Sequence, residues 1–116
     1  MVKRKDELTV IRNEHMKGGN KTVLITKAVE QEEINGKSRL IAKITLEPGA
    51  SIGEHTHLDE EEIFYIIKGS ATYNDNGTVV TLNEGDSCAC LGGQRHSISN
   101  DTNEVCELMA VILLYK

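Results

Sequence analysis

Apolar and polar residues change places every one or two positions over short runs, and turn residues separate the runs at fairly even spacing. Punctuation falls at Gly18-Gly19-Asn20, Asn35-Gly36, Pro48-Gly49, Asn74-Asp75-Asn76-Gly77, Asn83-Glu84-Gly85, Gly92-Gly93 and Asn100-Asp101. Between these lie runs rich in Val, Ile, Thr and Leu, the pattern of an antiparallel β sandwich or barrel. It predicts strands over Thr22–Val29, Arg39–Leu46, Ser51–His57, Glu62–Lys68, Ala71–Asn74, Thr78–Leu82, Ser87–Leu91, His96–Asn100 and Glu104–Tyr115. Residues Asp6 to Met16 show no period and are assigned no element. No long helix is expected, so the fold class is all-β.

Two segments, Ile63 to Ile67 and Leu108 to Leu114, are apolar at both parities and so on both faces of a sheet. Their outer face needs a cover, either the N-terminal arm or a second subunit, and a homodimer is the preferred expectation.

A chain of 116 residues with 39% apolar and 27% charged side chains can bury one small core and not two. Only one Phe, three Tyr and no Trp are present, so Val, Ile and Leu must fill that core. The net charge of −5, with no basic cluster beyond Lys3-Arg4-Lys5, argues against a nucleic-acid or anionic-membrane surface. The longest apolar run, Ala110 to Tyr115, is far below a membrane span. The opening MVKRKDELTV has no apolar stretch behind its basic flank, which predicts no secretory signal and a cytoplasmic address. There, Cys88, Cys90 and Cys106 read as reduced thiols, with Cys88 and Cys90 lining the interior as small hydrophobes.

The chemistry-bearing residues cluster in the middle of the chain. In a strand, residues two apart share a face, so His55 and His57 can hold one ion between two imidazoles, although a solvated pair shows the same spacing. A third histidine, His96, follows the Gly92-Gly93 turn. The acidic run Asp59 to Glu62 supplies a carboxylate for a three-His cage, and three of its four acids read as solvated surface charge. Tyr73 reads first as a core aromatic, with a hydroxyl inside the barrel as the alternative. Gln94 reads as a pocket or turn residue, Asn100 as a backbone tie, and His15 as a surface histidine.

These residues form two spaced patterns. Gly49, His55, His57, Glu62 and Gly69 follow G-x5-H-x-H-x4-E-x6-G, while Gly85, Gly93, His96 and Asn100 follow G-x5-P-x-G-x2-H-x3-N with Leu91 at the proline position. The chain thereby resembles the cupins over residues 49–100. The resemblance implies one cupin domain over 1–116, with 1–30 as an N-terminal arm and first strand, folded as a double-stranded β-helix or jelly-roll barrel. It implies a divalent transition metal (Mn, Fe, Ni, Co or Zn) held by His55, His57, Glu62 and His96, and it picks Glu62 among the three consecutive glutamates. If Glu62 points inward, Phe64 and Ile66 line the interior while Ile63, Tyr65 and Ile67 face outward.

Three neutral imidazoles and one carboxylate around a divalent ion leave a net charge near +1 and suit a small anionic or chelating ligand, such as a carboxylate or hydroxyketone. The resemblance spans oxygenase, decarboxylase and isomerase chemistry, and a non-catalytic anion-binding module is the second reading. No residue in the sequence identifies itself as a catalytic acid or base.

Overall fold

Ten strands form two antiparallel sheets in the computed structural model, which describes residues 1–116. They are β1 (Val10–Glu14), β2 (Thr22–Lys27), β3 (Ser38–Leu46), β4 (Ser51–Thr56), β5 (Glu60–Lys68), β6 (Ala71–Asp75), β7 (Thr78–Leu82), β8 (Ser87–Cys90), β9 (Arg95–Ser99) and β10 (Cys106–Leu114). The larger sheet runs β1-β2-β3-β10-β5-β8 and the smaller β4-β9-β6-β7. Consecutive strands repeatedly switch between sheets, which is the jelly-roll wrapping of a double-stranded β-helix. No helix is long and apolar enough to cross a membrane.

Side-chain alternation builds the core between the sheets. Leu108, Ala110 and Ile112 of β10 face inward with Ala42, Ile44 and Leu46 of β3 and with Phe64 and Ile66 of β5. The smaller sheet contributes Ile52, Ala71, Tyr73 and Ile98. Each of the larger aliphatic and aromatic side chains adds roughly 1.5–3 kcal/mol by leaving water. The expected parity of β5 holds: Phe64 and Ile66 are 1% and 0% exposed, against 50% for Tyr65 and 40% for Ile67.

β1 is the strand that pattern reading missed. It pairs only with β2 at the sheet edge, and none of its five residues is buried, so neither face carried a periodic apolar signal. The other boundaries differ from expectation by a few residues. The arm also shields part of the large sheet: Lys5, Asp6, Leu8 and Val10 border a 580 Å3 space with Thr26, Lys43 and Met109. Tyr65, Ile67 and Leu113 stay exposed beyond it.

Between β1 and β2 the chain makes a short turn, Met16–Gly18, that lies against β4. Two glycines permit this approach. A Cβ on Gly53 would stand 2.0 Å from the Lys17 carbonyl oxygen, and one on Gly19 would stand 2.1 Å from that of Ser51. The Ser51 N–H donates to the Asn20 carbonyl (3.0 Å), and the Asn20 N–H donates to Ser51 Oγ (2.8 Å). Because the obstacle at Gly53 is backbone, Gly53→Ala should destabilise the protein by about 1–3 kcal/mol. Thermal unfolding should show this as a fall of several degrees in Tm; an unchanged Tm would mean the turn is not held where described.

Candidate metal centre

Four side chains from three strands and one loop meet at one end of the barrel. His55 lies on β4, directly opposite His96 on β9. His57 follows the end of β4, where its N–H donates to the Gln94 carbonyl (3.2 Å) and its carbonyl accepts from the Gly93 N–H (2.7 Å). Glu62 enters from β5 in the other sheet. His57, Glu62 and His96 are buried, and His55 is half-buried.

The three imidazoles are held by their outer nitrogens. His55 Nδ1 donates to the Gly53 carbonyl (2.8 Å) and His57 Nδ1 to Glu60 Oε2 (2.6 Å), while His96 Nδ1 is hydrogen-bonded to the Tyr73 hydroxyl (2.8 Å). A carbonyl and a carboxylate can only accept, so Nδ1 carries the proton on His55 and His57 and both Nε2 lone pairs turn inward. His55 and His57 Nε2 are 3.1 Å apart, His57 and His96 Nε2 3.1 Å, and His96 and His55 Nε2 3.2 Å. Glu62 Oε1 lies 3.1 Å from His57 Nε2 and 3.2 Å from His96 Nε2.

Those five spacings match adjacent corners of an octahedron, whose edge is about 3.0 Å for metal–nitrogen bonds near 2.1 Å. The sixth pair, His55 and Glu62, is the wide one, since the whole group spans 4.8 Å. A closed tetrahedron would make all six equal. This donor set of nitrogen and oxygen without thiolate fits a divalent transition ion that keeps positions open for another ligand.

Protonation follows from the same contacts. Burial lowers the His55 pKa, which favours the neutral ring a metal needs. The Glu62 carboxylate holds the His57 pKa above its ordinary value, with Glu60 adding to the effect. Burial pushes the Glu62 pKa up, but the closeness of the His57 and His96 rings outweighs it and the net shift is downward. Burial also raises Cys88, Cys90 and Cys106 to about 11, so these thiols stay protonated at neutral pH. Cys88 and Cys90 face Phe64 and Glu62 across the β5–β8 ladder, in keeping with their expected place along the interior.

One expectation needs correction. Glu60, read as a solvated acid, is a partner of His57 and is also gripped by Arg39, whose Nε and Nη2 donate to its two oxygens (2.7 and 2.8 Å). Sequence spacing could not reveal this, because Arg39 reaches Glu60 from another strand. Tyr73 is the expected core aromatic, 1% exposed, and its hydroxyl also meets His96.

Gln94 is a turn residue. Its Oε1 accepts from the Leu91 N–H (3.0 Å), and its own N–H donates to the Leu91 carbonyl (3.0 Å). A proline at position 91 would have no N–H to give. Asn100 is fully buried and donates to the carbonyls of Leu46 (2.8 Å) and Glu104 (2.7 Å), the expected backbone tie. His15 is exposed, and its ring meets only the Gly19 carbonyl.

A cavity of about 310 Å3 opens over the ligand group. Ile25, Leu40, Ile44, Ile52 and Ile112 give it apolar walls, and the N-terminal arm closes one side with Asn13, Met16 and Lys17.

The Arg39 guanidinium, with help from His57, holds the Glu60 carboxyl down from 4.5 to about 2. A depressed carboxyl stabilises the fold above its unfolded pKa and loses that stabilisation as pH falls through the folded value. In metal-free protein, acid unfolding followed by circular dichroism should therefore steepen between pH 4.5 and about 2. Glu60→Gln should flatten that limb, and an unaltered limb would show that the contact contributes nothing.

Comparison with known proteins agrees with this geometry. The profile of the Cupin_2 family, described as a cupin domain, matches residues 42–112. An oxalate-binding protein of Thermotoga maritima is 40% identical over 114 residues, covering 98% of this chain and 94% of the relative. A crystal structure of a predicted oxalate decarboxylase from Thermotoga maritima superposes with a TM-score of 0.92 at 40% identity, covering 98% of this chain and 99% of that one. The tetracenomycin polyketide synthase protein TcmJ of Streptomyces glaucescens is 33% identical over 89 residues, or 77% of this chain and 57% of its own length. With family profile, relatives and fold in agreement, the chain belongs to the cupins.

Proposed function

We propose that this cupin binds one divalent transition metal, from among Mn, Fe, Ni, Co and Zn, through His55, His57, Glu62 and His96, and presents it to a small anionic or chelating ligand. The observation that carries the reading is the anchoring of all three Nδ1 atoms, which turns the Nε2 atoms onto one point beneath an open cavity. The ion, when bound, supplies a Lewis acid for a carboxylate or carbonyl oxygen. The chain's own residues orient the ligands and wall the cavity with aliphatic groups that limit water. The name of the Thermotoga maritima relative, an oxalate-binding protein, supports a carboxylate as the ligand class.

Binding is favoured over proton-transfer catalysis by one feature. Among the cavity's carboxylates, Glu62 belongs to the ligand set and Glu60, with a pKa of about 2, is ionised at neutral pH. Neither is poised to donate a proton to a bound ligand.

Elemental analysis of purified protein should find close to one transition-metal ion per chain, and His57→Ala should lower affinity for it by at least 100-fold. Full occupancy in that variant would overturn the ligand assignment. A second copy of the chain is proposed to cover the exposed apolar strip of Tyr65, Ile67 and Leu113. Ile67→Glu should then shift the light-scattering mass toward monomer, whereas an unchanged mass would remove that face from the interface.

A further inference from the structure

The charges lining the cavity sort into two groups. Glu62 sits in the ligand group, and Glu60 is bound on both oxygens by Arg39. The cations are Arg39 on β3 and Lys17 on the N-terminal arm. Two carboxylates and two cations cancel, so a divalent ion leaves the cavity at +2 with its histidines neutral.

Neither cation has spent its capacity. Arg39 uses Nε and one N–H of Nη2 on Glu60, leaving the Nη1 edge and the remaining Nη2 hydrogen without a protein partner. The two bonds fix the guanidinium beside the metal-ligand partner Glu60. Lys17 makes no ion pair. Its backbone is left-handed (φ 54°, ψ 31°), a conformation unfavourable for a residue with a Cβ, and the close packing against Gly53 holds it there. Gly53 is also the residue whose carbonyl orients His55, so the segment bearing Lys17 is fastened to the metal group itself.

Aliphatic side chains fill the wall of the same cavity, among them Ile25, Leu40 and Ile52. The volume of about 310 Å3 corresponds to roughly ten waters, more than a two-carbon anion fills. We propose that Arg39 and Lys17 form a second anchor, which selects small dianions with an aliphatic middle: one oxyanion end on the metal and the other at these two cations. The inference rests on the anion-binding reading given above and names the residues that set its selectivity.

The test is titration calorimetry on metal-loaded protein with glutarate and valerate, which match in chain length and differ by one carboxylate. The wild-type protein should bind glutarate at least about tenfold more tightly, the factor one charge-assisted hydrogen bond commands. Lys17→Met and Arg39→Gln should each erode the glutarate-to-valerate ratio, while Lys17→Arg keeps it. The ratio is read within each variant, so a loss of metal or folded fraction does not imitate the effect. Equal wild-type affinities, or a ratio unmoved by both Lys17→Met and Arg39→Gln, would overturn the second anchor and leave anion binding standing. Wild-type protein that holds metal yet binds neither acid would overturn the anion-binding reading and the anchor with it.

Discussion

Three neutral imidazoles can aim their lone pairs at one point only if something else holds their far edges, and that constraint organises this molecule. At spacings of 3.1–3.2 Å the Nε2 atoms repel one another unless a cation or a shared proton lies among them. The fold supplies three unlike restraints: the Gly53 carbonyl at the irregularity in β4, the Glu60 carboxylate braced by Arg39, and the Tyr73 hydroxyl deep in the core. Loss of any one frees a ring to rotate. An ion held there would therefore couple directly to the stability of the surrounding structure.

The restraints come from both sheets, so site and fold are one construction. β4 and β9 bring His55 and His96 face to face, and β5 brings Glu62 across the barrel. Phe64 stacks on His96 with 5.2 Å between ring centroids, and both lie in the same core as Tyr73. The apolar packing that excludes water from the barrel also desolvates the ligands. The arm joins this construction through the Gly19 and Gly53 contacts, which turn an otherwise peripheral segment into a wall of the cavity.

Much of this was legible in the sequence. Turn residues marked nine of the ten strands, and alternation assigned the buried and exposed sides of β5. The two spaced motifs selected the four residues that the structure brings together. What could not be read depended on contacts between distant segments. Glu60 looks like Glu61 in the sequence, and only the arrival of Arg39 from β3 and the angle of His57 separate them. Tyr73 has no motif around it, and its role appears only when β6 is laid beside β9. β1 carries no amphipathic period because an edge strand that buries none of its side chains has no reason to show one.

The turn from Leu91 to Gln94 has a different kind of consequence. Where the motif has a proline ring, this chain has an N–H, and the Gln94 amide grasps it. The covalent restriction is replaced by a reversible one, and the two positions become a single unit of variation: a change at either is felt at the other. A sequence search insisting on proline would pass over the chain although the backbone bend is present. What defines such a turn is the torsion it must hold, and more than one chemistry can hold it.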